Sequence, residues 1–69
     1  MYRNLMKLMD DKRITNKAMA NLLRRSPNTI ADKIRGRSDF DVQEALTISR
    51  TYFPEYDLSF VFERDEHTA

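Results

Sequence analysis

Residues 15–30 decide the reading of this chain: Thr15-Asn16-Lys17-Ala18-Met19-Ala20-Asn21-Leu22-Leu23-Arg24-Arg25-Ser26-Pro27-Asn28-Thr29-Ile30. Thr15 is a good N-cap, because its hydroxyl accepts from a backbone N–H that the first helical turn leaves unpaired. A helix then runs over about 16–23 and presents Met19, Ala20 and Leu23 on one side. Ser26-Pro27 is a second start. Serine caps, and proline takes the first helical position, where no N–H is needed. The helix it opens runs over about 27–35 and stops at Gly36. Only the short turn Arg24-Arg25 joins the two. Ala20 is small where the helices must cross closely, and Ile30 lies where it can lock them. Two short helices crossing tightly, the second exposed, make a helix-turn-helix.

The helix over 27–35 is two-faced. At 3.6 residues per turn, Asn28, Asp32 and Arg35 fall at i, i+4 and i+7 and share one face, while Ile30 and Ile34 fall on the other. The isoleucines anchor it and the polar groups face outward. Asparagine can bond one adenine edge in two places, aspartate accepts from a cytosine amino group, and arginine binds guanine or phosphate. An ordinary amphipathic surface helix would show the same division, so the face gains meaning only from the helix that precedes it.

The flanking sequence supplies the rest of an all-α domain. Met1 to Lys12 places Tyr2, Leu5, Met6 and Met9 at helical spacing, with Leu8 at the edge of that stripe. Asp41 opens a fourth helix with Glu44 three residues on, a capping-box arrangement. Val42, Ala45, Leu46, Ile48, Tyr52 and Phe53 give that helix a broad apolar face, and Pro54 ends it. Asp57 can cap a last short helix holding Leu58, Phe60, Val61 and Phe62. The same stretch has strand propensity, but no second strand exists for it to pair with, which favours helix. The expectation is a compact five-helix bundle over 1–63 with a tail over 64–69.

Composition bounds the chemistry. Sixty-nine residues make one domain, burying roughly 60% of the unfolded chain's surface. No apolar run approaches the ~20 residues of a membrane span, and the N-terminus has no signal-peptide stretch. The absence of cysteine excludes disulfides and thiolate metal sites and fits a reducing cytoplasm. The start at Met1 fits a complete chain. Net charge is only +1, but residues 1–38 hold ten Lys or Arg against three Asp, and residues 39–69 hold two Arg against eight acids. A basic half suits a polyanion, of which nucleic acid is the usual one. Alternatively, the two halves pair across the fold.

Ile14 to Arg37 resembles the helix-turn-helix of the phage Cro and C repressor family of prokaryotic regulators. Ile14-Thr15, Ala20, Leu23, Ser26, Thr29-Ile30, Ile34 and Gly36 carry the match. Asn4-Leu5, Phe40 with Glu44-Ala45-Leu46, and Phe53-Pro54 followed by Leu58 and Phe62 extend it over about 2–62. The resemblance implies five helices, with the third inserted into the major groove of operator DNA. It implies base-edge positions at Pro27, Asn28 and Asp32. It implies backbone positions at Asn16, Thr29, Arg35 and Arg37, which the cations Lys17 and Lys33 can join. Two features depart from the family pattern. Arg24-Arg25 stand where glycine and an apolar residue are usual, and Asp32 stands where uncharged or basic residues are common. A non-glycine residue at a left-handed position costs ~1 kcal/mol.

Other chemistry has little support. His67 is the only histidine, and one histidine without cysteine makes no metal site. Asp10-Asp11 are consecutive, so on a helix they point apart. No serine has a nearby base, and there is no glycine-rich phosphate loop. The four methionines read as core fillers. Neither enzyme activity, a cofactor, a small-molecule ligand nor a membrane is expected. Tyr52, Phe53, Tyr56, Phe60 and Phe62 should mostly close the core, with a surplus for a homodimer patch. The leading expectation is a transcriptional regulator, a phage or mobile-element repressor acting by operator occupancy. The alternative is a protein-interaction module on the same scaffold, of antirepressor or antitoxin type.

Overall fold

Backbone polar groups at helix ends need partners, and this chain supplies them locally at almost every boundary. The computed structural model describes residues 1–64. Five helices follow in order: α1 (Arg3–Asp11), α2 (Asn16–Leu23), α3 (Pro27–Arg35), α4 (Val42–Tyr52) and α5 (Leu58–Val61). There is no strand among the described residues. Thr15 Oγ1 accepts from the Ala18 N–H at 3.0 Å, and Ser26 Oγ accepts from the Thr29 N–H at 3.2 Å. Asp41 and Glu44 close a reciprocal capping box at 2.7 and 3.0 Å. Asp57 stands at the N-cap of α5, but its side chain makes no capping bond, against expectation.

The first three helices end alike, each in a left-handed residue followed by a residue that bonds back. Arg13, Arg24 and Gly36 have φ of 57°, 58° and 90°. The next residue's N–H then reaches a carbonyl five positions earlier: Ile14 to Met9 at 2.8 Å, Arg25 to Ala20 at 2.9 Å, Arg37 to Asp32 at 2.9 Å. This is the Schellman arrangement. Arginine holds two of the three left-handed positions, each at a steric cost of about 1 kcal/mol relative to glycine. Gly36 has a second reason to be glycine, since a Cβ there would lie 2.8 Å from the Met1 backbone nitrogen.

One core unites the elements. Leu5, Met19, Ile30, Ile48, Phe53 and Val61 are fully enclosed, with Tyr2, Leu8, Met9, Ala20 and Ile34 around them. Ala20 is 1% exposed and Ile30 0%, so both the small residue of α2 and the isoleucine of α3 are buried in this core. Tyr2, Phe40 and Phe62 form a triangle of edge-on rings with centroids 5.3–5.9 Å apart, a favourable aromatic geometry. It ties the N-terminus, the α3–α4 connection and the end of α5 together. The Tyr2 N–H donates to the Ile34 carbonyl at 2.9 Å, and Asn4 Nδ2 donates to the Phe60 carbonyl at 3.0 Å.

Several expectations need correction. Met6 and Val42 are exposed, Val42 because it begins α4 before that helix reaches the core. Leu58 and Phe60 are also exposed, since four residues of α5 can turn only one side chain, Val61, fully inward. Leu8, expected at the edge of the α1 stripe, is buried. Arg64, the first residue of the expected tail, pairs through Nη1 with Asp39 Oδ1 at 2.7 Å. The remainder of the expected tail, with His67, lies outside the described residues. No helix is long and apolar enough to cross a membrane among the described residues.

Two substitutions probe this frame in urea denaturation. Arg24→Gly should raise stability by about 1 kcal/mol, because glycine adopts the left-handed conformation without strain. Ala20→Leu should lower it by about 1–3 kcal/mol or prevent folding, because the crossing has no room for three more carbons.

Candidate nucleic-acid interface

The polar side of α3 is open. Pro27, Asn28 and Arg35 are exposed and Asp32 is half-buried, while Ile30 and Ile34 lie in the core. The division drawn from helical periodicity is therefore the observed one. Asn16 and Lys17, in the first turn of α2, are exposed as well. Asn16 shares a groove with Ala31 and Arg35, so the start of α2 and the outer side of α3 come to the same surface.

The remaining site residues are more constrained. Thr29 is half-buried, and its hydroxyl lies 2.9 Å from Ser26 Oγ, within the cap that starts α3. Arg37 lies 3.9 Å from Asp32 Oδ1, with both side chains well solvated. Such a pair contributes little stability, but it places a cation beside the one acidic group on this face.

Lys33 does not belong with the surface cations. Its side chain is 11% exposed. Its ammonium donates to the Asp39 carbonyl at 2.9 Å and pairs with Glu44 Oε1 at 3.1 Å. It also lies 5.8 Å from the Phe40 ring centre. A phosphate contact would require it to abandon all three. Lys33, expected to join the backbone-binding residues, is instead buried and fastens α3 to α4.

The acceptor at the centre of this arrangement is Glu44, 6% exposed. One carboxylate oxygen takes the Asp41 N–H and Lys33, and the other takes Arg25 Nε at 3.0 Å. Burial pushes the Glu44 carboxyl up. The Asp41 N–H, the Lys33 hydrogen bond and the Lys33 charge outweigh it and hold the group below its ordinary value of 4.5. Arg25, which follows the left-handed Arg24, is thus held by an ion pair. The sequence carried the signal, since Arg25, Lys33 and Glu44 were all visible, but nothing local linked them.

The basic half of the chain is partly spent on partners within the chain. Lys12 reaches Glu55 at 2.9 Å and the Tyr52 carbonyl at 2.7 Å, and Arg25 and Lys33 go to Glu44. The Lys12 hydrogen bond holds the Glu55 carboxyl below its usual range. Lys7, Arg13, Lys17, Arg24 and Arg35 are exposed and have no ion-pair partner among the described residues. No cluster of three potential metal ligands occurs among the described residues.

The chain matches no family model, no curated protein and no solved structure. Its functional reading therefore rests on its own residues.

Glu44 can be tested through pH. Its carboxyl is lowered in the folded state, so its contribution is present above about pH 4.5 and is lost as pH falls through the folded value. Glu44→Gln should cost about 2 kcal/mol or more at neutral pH, because Lys33 loses its buried counter-charge. Denaturant midpoints followed from pH 7 down into acid should fall less for Glu44→Gln than for the unaltered chain.

Proposed function

We propose that this protein is a sequence-specific binder of double-stranded DNA, of the Cro and C repressor type, that regulates transcription by occupying an operator. One observation carries the reading. A short helix, fixed to the core by Ile30 and Ile34, turns Asn28, Asp32 and Arg35 outward beside the exposed first turn of the preceding helix. That is what a reading helix and its supporting helix require.

In this reading α3 enters the major groove. Pro27, Asn28 and Asp32 meet base edges, with Asn28 suited to adenine and Asp32 to a cytosine amino group. Asn16, Lys17, Thr29, Arg35 and Arg37 hold the phosphates, Thr29 and Asn16 as neutral partners and the other three as cations. Backbone N–H groups at the start of α2 add to the phosphate site. The mechanism is binding alone, driven by released counterions, with no cofactor. A single copy reads few base pairs, so a homodimer on a palindromic site completes the scheme. Tyr56, Leu58 and Phe60 are exposed, and the Tyr56 and Phe60 rings stack at 5.8 Å, an apolar patch suited to pairing two copies.

Selection from a random double-stranded pool at physiological salt tests the proposal. A short palindromic motif should emerge. Asn28→Ala should cost about 1–3 kcal/mol on that motif and relax the preference at one base position. Arg35→Ala should weaken all sequences alike and reduce the magnitude of the salt slope by about 1. A folded protein that enriches no motif and shows no salt-dependent binding would refute the reading.

A further inference from the structure

The sequence assigned all four methionines to the core, yet only Met9 and Met19 are buried there. Met1 and Met6 are 41% and 42% exposed and open into a groove of about 670 Å³ between α1, the start of α2 and α3. Its floor is apolar: Met6, Met9, Ile14, Ala31 and Ile34. Its rim is cationic, with Arg3, Lys7 and Arg35 against one carboxylate, Asp10. On α1 the rim and floor residues Arg3, Met6, Lys7 and Asp10 fall at i, i+3, i+4 and i+7, one stripe about 10 Å long. Ala31, Ile34 and Arg35 make the facing stripe on α3.

We infer that this groove docks an acidic amphipathic helix of a second protein. The groove is open to solvent, so it covers one face of an occupant. That suits a helix laid between two helices, with apolar anchors at i, i+3, i+4 and i+7. A small molecule gains most of its affinity from being enclosed on nearly all sides. Methionine side chains reshape easily around an apolar guest. Lys7 and Arg35 are exposed and have no ion-pair partner among the described residues, so they select carboxylates beside the apolar stripe. Asn16 and Arg35 also belong to the proposed phosphate-binding set. A docked helix therefore excludes DNA and releases the operator. Docking rests on the groove alone; only this exclusion rests on the function proposed above.

The probe is a displayed library of helical peptides with a fixed leucine stripe and every other position drawn from Glu, Lys, Gln and Ser. Glutamate should be enriched beside the stripe. The enriched peptide should shift the labelled methyl groups of Met1, Met6 and Met9 in NMR spectra of the full chain. Lys7→Glu and Arg35→Glu should each weaken it at least about tenfold with little change in melting temperature, as expected of a charge pair across an interface. Met6→Glu should abolish binding, and the lysine counterpart of the peptide should not bind. The enriched peptide should also displace duplex DNA; failure of that arm alone removes the exclusion and leaves the docking standing. Absent enrichment, enrichment without charge preference, or shifts at Tyr56 and Phe60 in place of the methionines would overturn the docking. So would decanoate moving the same methyl groups at lower concentration than the peptide, or self-association that Met6→Glu removes.

Discussion

The fold depends most on one buried carboxylate. Glu44 closes the cap that starts α4, neutralises Lys33 on α3 and holds Arg25 in the turn between α2 and α3. Burying an ion is costly unless every lone pair finds a partner, and here both oxygens do. No buried side-chain nitrogen or oxygen is left without a partner among the described residues. A domain of this length has only about 3–10 kcal/mol of stability, so an arrangement whose disruption costs several is decisive. It fastens α3 from the inner side through α4, which leaves the outer side of α3 with no packing duty.

The same junction explains how the chain tolerates its unusual turn. An apolar residue after the left-handed position ordinarily packs back on the helix it ends. Arg25 cannot do so, and it lies 3.0 Å from Glu44 instead. The α2–α3 turn is thereby tied to α4, an element distant in sequence, where a conventional turn would be held by its own neighbours. Arg24 beside it retains its left-handed strain and is exposed.

Local signals were legible and distant ones were not. Thr15, Ser26, Gly36 and the Asp41–Glu44 box act within a few residues, so the sequence alone placed α2, α3 and the start of α4 where they are found. Ile30 and Ile34 fixed which side of α3 turns inward. Lys33 was misjudged because its charge outweighed its position. It sits three residues after Ile30, on the inner shoulder of the helix, and its partner lies eleven residues on. Arg13 escaped notice because nothing but backbone conformation marks it as a left-handed cap. Met6 was read as core because α1 carries apolar residues around more of its surface than the core can cover. The charge tally overstated the basic face for a related reason: Lys12, Arg25 and Lys33 are committed to internal partners.

The outer side of α3, with the first turn of α2, is the proposed DNA-reading surface, held in place from within. Backbone amide NMR during titration with the selected duplex tests it most directly. The largest shifts should fall at Asn16, Lys17, Asn28, Asp32 and Arg35, with the Lys33 ammonium and Glu44 carboxylate signals, read in side-chain spectra of the same titration, unmoved. Shifts confined to residues 56–62, or spread evenly over the exposed cations with α3 undisturbed, would contradict it.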